Sequence, residues 1–132
     1  MQVANSSGYA FNRTRSTYLA TALRIADTHW SRFRGLMCTE PATFGSGNGL
    51  WIVPCHGVHT FGMKFPIDVL YLSSAKTVVH MECHLKPWRM AQVSMKTASV
   101  LELPANTLQD SGTAVGDQIE IGQGEALGLT QA

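Results

Sequence analysis

Apolar residues recur mostly at period two along this chain, in short runs separated by glycine, proline and small polar residues, a pattern that predicts a mainly β protein. "STYLATALRIA" (16–26) reads as the first strand. The period then changes: Trp30, Phe33, Leu36 and Met37 recur at helical spacing behind Asp27 or Thr28 as N-cap, with Arg32 and Arg34 on the other side, which predicts one short helix over about 28–37. "TEPATFGSGNG" (39–49) holds a proline and three closely spaced glycines and reads as a surface loop. Strands resume in "LWIVP", "VHTFGM", "IDVLYLS" and "TVVHMECHL", a meander of about four. "KPWRMAQVSMKT" (86–97) reads as a crossing loop, "ASVLELP" as a buried strand and "GDQIEIG" as a closing one. The expected architecture is a single small β-sandwich or partly closed barrel over residues 16–122, with a flexible N-terminal segment at 1–15 and a flexible tail at 123–132.

Composition narrows the function classes. At 132 residues the chain makes one ordinary domain. Ten basic and nine acidic residues leave a formal charge of +1 without blocks of like charge, so the basic footprint of a nucleic-acid or anionic-membrane binder is missing. The first residues, "MQVANSSGYAFNRTRS", contain neither an apolar signal core nor a run able to span a bilayer, and Cys38, Cys55 and Cys83 form no C-x-x-C pair. Reduced thiols in a cytoplasmic protein, with no membrane insertion, are the expectation.

"RGLM" at 34–37, "HTFGMKFPIDVLYL" at 59–72, "KPWR" at 86–89, "SVLELPA" at 99–105 and "GD" at 116–117 occur in that order, and together they resemble the domain of unknown function 192 family of small bacterial and archaeal proteins. The resemblance spans about residues 16–122 and implies a compact, mostly β fold with one helix, and a function that the family leaves open. Asn106 stands where the family pattern continues to glycine; asparagine tolerates the left-handed turn conformation that glycine serves there. Many relatives also carry an N-terminal export or anchoring segment, which the opening residues here do not resemble.

The stretch "LWIVPCHGVHTFGMKFPIDVLYL" concentrates the candidate chemistry, because Cys55, His56, His59 and Asp68 interrupt an otherwise apolar run. Cys55 and His59 are of ligand type, but four residues of strand separate Cα atoms by roughly 13 Å, too far for easy sharing of one ion. His80, Glu82 and His84 suffer the same spacing, and their alternation with Val79, Met81, Cys83 and Leu85 predicts a strand with one wet face and Cys83 inside. No metal and no cofactor are therefore expected. Cys55 as nucleophile with His59 as base lacks an elbow, a following helix to activate the thiol and an oxyanion loop. "GSGNG" lacks the lysine of a phosphate loop.

Asp68 sits in a run that is apolar on both faces, so it is expected to be buried and charged, and to need partners. Arg34, His59 and backbone amides are the candidates, giving a polar cluster of Arg34, His59 and Asp68 that fastens helix to sheet. Its open side, with Trp51, His59, Thr60, Asp68 and Arg89, is the candidate binding cleft. The reading is a non-catalytic module that binds a small ligand or a protein partner; the rival is a small hydrolase or metal-dependent enzyme centred on Cys55, His59 and Asp68.

Overall fold

A computed structural model describes residues 8–124. Seven strands form one sheet: β1 (Gly8–Asn12), β2 (Thr17–Ala26), β3 (Asn48–Ile52), β4 (Ile67–Leu72), β5 (Val78–Leu85), β6 (Ser99–Pro104) and β7 (Ile119–Gln123), in the order β5-β4-β6-β3-β2-β1-β7. The sheet curls into a half-barrel. Its ends approach each other where Thr77 bridges Gln118 and the backbone amide of Ile119 donates to Lys76 O, so the barrel is partly closed rather than split into two facing sheets.

The mainly β prediction holds, with β2, β4, β5, β6 and β7 in the expected segments. Three features differ, and a fourth expectation falls almost wholly outside the described residues. Residues 8–12, expected in a flexible segment, form β1, held between β2 and β7 with Ala10 and Asn12 fully buried. The expected tail lies outside the described residues except for Gln123, which ends β7, and Gly124. "VHTFGM" is not a strand; only His59 pairs, in a bridge to Met90. The expected meander is interrupted because β6 enters between β3 and β4, pairing antiparallel with both, while β3 runs parallel to β2.

Two short helices flank the sheet. Helix α1 (His29–Arg34) starts at Thr28 in a capping box: the Thr28 hydroxyl accepts from Ser31 N–H, and Ser31 Oγ accepts from Thr28 N–H. It ends at Gly35, whose φ of +49° suits a residue without a Cβ. Only Leu36 of its expected apolar face is fully buried; Trp30 and Phe33 stay 67% and 58% exposed. Helix α2 (Thr107–Ser111) was not anticipated. It follows Asn106 at φ +81°, the conformation that asparagine tolerates in place of glycine.

Strand alternation divides the interior into two apolar clusters, one on each face of the sheet. Leu70, Leu72, Leu101 and Leu103 join Leu23 and Leu108 on the first; Ile67, Val69, Tyr71 and Val100 join Ile52 and Phe44 on the second. Cys83, expected inside, is exposed, because a bulge between the Ile67–Leu85 and Val69–Glu82 pairs breaks the alternation of β5. No helix among the described residues is long and apolar enough to cross a membrane.

Candidate functional site

Asp68 is buried as expected, but its partners are not Arg34 and His59. One carboxylate oxygen accepts from His84 N–H at 3.0 Å, the backbone amide at the β5 bulge, and the other from Leu108 N–H at 2.9 Å, in the first turn of α2. The physical reason is parity. Asp68 shares its strand face with Leu70 and Leu72, toward Leu108, whereas His59 lies over the other face. The carboxylate fastens β5 and α2 to the sheet by satisfying two amides that the bulge and the helix start leave open. His84 adds a contact of Nε2 to Asn106 Oδ1 at 2.8 Å.

The other residues named from the sequence scatter in the same way. Trp51 packs against the Asp68 side of the core, with Lys76 Nζ 5.7 Å from its ring centre. Thr60 is fully buried and structural: its hydroxyl donates to Lys86 O at 2.6 Å and accepts from Arg89 N–H at 2.8 Å, tying the 59–63 turn to the crossing loop. Arg89 is exposed. Of the residues named for the cleft, His59 lines a pocket, and Cys55 of the rival enzymatic centre lines it too.

That pocket, of about 90 Å³, lies on the second face between the end of α1 and the 55–59 segment. Arg32, Phe33, Cys55 and His59 line its walls, and Glu102 of β6 belongs to its lining from the sheet. Glu102 pairs with Leu50 on one side and Val69 on the other, and is 2% exposed. Its Oε1 has no hydrogen-bond partner among the described residues. Gly35 stands beside this oxygen: a Cβ built there would lie 3.7 Å from Oε1. Burial pushes the Glu102 carboxyl up to about 8, so at neutral pH it is largely protonated.

The walls are chemically quiet. Cys55 Sγ donates to Gly57 O at 2.9 Å, and burial pushes the thiol up, away from thiolate character. His59 Nδ1 accepts from Phe61 N–H at 3.2 Å, which leaves the ring proton of the neutral form on Nε2. The Arg32 guanidinium is held on the rim, donating to Pro54 O at 3.0 Å and to Thr28 O at 3.3 Å. Arg32, Phe33 and Cys55 are shared with a wider hollow of about 400 Å³ that also meets His29 and His56.

Aromatic rings continue outward from the pocket. Trp30 contacts Phe33 at 6.0 Å between ring centres, Phe33 contacts His59 at 5.8 Å, His59 contacts Phe61 at 5.1 Å, and Phe61 stacks on Trp88 at 6.1 Å. Trp88 is 64% exposed. Two larger hollows, of about 480 and 430 Å³, lie near Arg24 and Asn48 and near Thr17 and Asp110, but none of their lining residues carries a buried unpaired polar atom. Among the described residues no group of three His, Cys, Asp or Glu is placed to hold a metal ion.

The DUF192 family model, described as an uncharacterized ACR, matches residues 10–121. The chain belongs to the DUF192 family. Curated relatives are uncharacterised UPF0127 proteins: one of Pyrococcus abyssi is 31% identical over 119 residues, covering 86% of this chain and 97% of the relative. One of Pyrococcus furiosus is 30% identical over 114 residues, covering 83% and 94%. A crystal structure of a protein of unknown function from Novosphingobium aromaticivorans superposes with a TM-score of 0.70 at 18% identity, covering 86% of this chain and 83% of that one. A crystal structure from Sinorhizobium meliloti, described as that of a "putative transcription regulator", gives a TM-score of 0.74 at 20% identity, covering 90% of this chain and 97% of that one. These two likenesses show a shared fold. The Glu102 pocket is built on "SVLELPA" and "RGLM", segments that carried the family resemblance.

Glu102 is the residue that sequence reasoning missed. Its signal was the one that singled out Asp68, a lone carboxylate inside a run of apolar strand residues.

Proposed function

We propose that this protein is a binding module without chemistry of its own, which takes a small ligand, or a protruding side chain of a protein partner, into the Glu102 pocket and against the surrounding aromatic rings. The observation that carries this reading is the unpaired Glu102 Oε1 at a pocket. Leaving a buried acceptor unsatisfied costs about 1–3 kcal/mol, a cost that a bound donor removes. Exposed rings continuous with the pocket supply the rigid apolar contact surface typical of recognition sites. The rival enzymatic reading is disfavoured by the thiol of Cys55, which is raised and donates to a carbonyl, and by Asp68, which is engaged on the opposite face. The near-neutral charge argues against a nucleic-acid partner.

Protein-observed NMR with a fragment library tests the proposal. Hits should move the amides of Gly35, Gly57, Val58 and His59 together and change the fluorescence of Trp30 and Trp88. Hits that cluster elsewhere, or a library without any hit at these amides, contradict it.

A further inference from the structure

The ligand chemistry follows from what the pocket can and cannot offer, an inference that rests on the binding reading above. Inside it, the thiol of Cys55 is committed to Gly57 O and Nδ1 of His59 to the Phe61 amide. Arg32 spends its guanidinium on two backbone carbonyls and on His29 Nδ1 at 3.1 Å. The unpaired acceptor is Glu102 Oε1. At about 90 Å³, the space is equivalent to about three waters of liquid volume, so a headgroup of few atoms enters while the remainder of its carrier stays among the rings. Phe33, itself lining the pocket, stands between Trp30 and His59, and the faces of such rings attract cations.

We infer that the pocket recognises a primary ammonium group, which Glu102 receives at the floor and Phe33 and His59 flank at the mouth. An ammonium is the small group that donates hydrogen bonds, supplies the counter-charge that a buried carboxylate lacks and is drawn to aromatic faces. In the empty pocket the Glu102 carboxyl keeps its proton; on binding, that proton leaves to water and the ammonium pairs with the carboxylate, so no net charge is buried. Affinity therefore rises with pH until Glu102 is ionised in the free protein as well. The other charged or titratable groups facing this space are Arg32 from α1, and Cys55 and His59 from the 55–59 segment. Tyr71 of β4 lies behind: burial raises its phenol most, with smaller contributions from Glu82, Cys55 and Glu102.

The test uses the full chain with benzylammonium, its neutral analogue benzyl alcohol, and benzoate, read by amide shifts of Gly35, Gly57, Val58 and His59. Benzylammonium should bind saturably and at least about tenfold tighter than benzyl alcohol, with affinity increasing from about pH 6.5 to about 8.5. In Glu102→Gln, verified as folded by its thermal transition, that preference and the pH dependence should both vanish. Comparing butylammonium with the side chain of a blocked lysine separates a free amine from a protein partner as the source. Equal binding of benzyl alcohol and benzylammonium, with Glu102→Gln unchanged, overturns the ammonium assignment while leaving the binding module intact. Preference for benzoate overturns the assignment too. Silence from all three probes also overturns it, and leaves the binding reading to the fragment screen.

Discussion

Two carboxylates inside apolar strands show how much a single residue's surroundings decide. Asp68 is satisfied by two amides, so it is a fastening of the fold. Asp68→Asn keeps one good acceptor and leaves an amide without its partner, and should lower stability by about 1–3 kcal/mol in denaturant unfolding. An unchanged midpoint would contradict the clasp. Glu102 behaves oppositely. Its folded carboxyl is held at about 8, against an ordinary 4.5 in the unfolded chain, so between these values unfolding releases a proton. The folded state should lose stability as pH rises from about 4.5 to about 8, and be level above that. Glu102→Gln lacks this loss: it should match the parent near pH 4.5 and exceed it by a few kcal/mol near pH 8.5, since each pH step of one between the two values costs the parent up to about 1.4 kcal/mol. Parallel stability profiles would contradict it. The burial of both acids was legible as polar residues in apolar runs. Backbone amides were among the partners expected for Asp68, but which amides, the absence of Arg34 and His59 from them and the unpaired state of Glu102 were not legible, because the alternation that sends Asp68 toward Leu108 and Glu102 toward Cys55 depends on which strands flank them, and the β5 bulge that frees the His84 amide has no sequence mark.

At the scale of elements, the site is made by segments that lack regular structure of their own. The strand expected at "VHTFGM" is replaced by a turn joined to the crossing loop by backbone hydrogen bonds, Thr60 N–H to Arg89 O, Trp88 N–H to Thr60 O and Ala91 N–H to Val58 O, to which the Thr60 hydroxyl adds bonds to Lys86 O and Arg89 N–H. At Gly57 the two segments approach too closely for a side chain: a Cβ there would lie 2.8 Å from Gln92 O and 3.0 Å from Val93 Cγ2. Gly57→Ala should therefore shift the amides of residues 92–94 along with those of the pocket and lower the melting temperature by several degrees, at roughly 4 °C per kcal/mol for a domain of this size. Amide shifts confined to Gly57 and its chain neighbours would show that the loops are not packed as described. The helix at 28–37 was legible from its cap and spacing, but the exposure of Trp30 and Phe33 was not. Helical periodicity aligns an apolar face without saying what covers it.

On the scale of the whole molecule, the curl of the sheet brings its two ends together around Asp117. This carboxylate accepts from Arg15 at 2.9 and 3.2 Å, from the Asn12 side-chain amide at 3.0 Å and from the Ala114 amide at 3.0 Å, joining the end of β1 to the turn before β7. The Arg15 hydrogen bond is the largest cause holding its acid well down, to about 2 from an ordinary 3.8. A lowered folded value contributes stability that is present above about pH 4 and is lost as pH falls through about 2. Arg15 is partly solvated, so the contribution is modest. Asp117→Asn should lose about 1–2 kcal/mol at neutral pH and flatten the acid limb of the unfolding profile, whereas an unaltered acid limb would remove Asp117 from the closure. The mainly β class was legible in the spacing of short strands, which left a sandwich and a partly closed barrel as alternatives. The insertion of β6 between β3 and β4 was not, since strand patterns fix faces but not neighbours.

At the centre of the proposed site is a carboxyl group that the fold desolvates and leaves unpaired at a pocket. Carbon-detected NMR of the Glu102 side chain, followed across pH in the ligand-free protein, measures that state directly. A carboxyl midpoint near 8 is the expected result. A midpoint near the ordinary 4.5 would mean that water or another group already satisfies Glu102, and would contradict the claim that this position is held for a ligand.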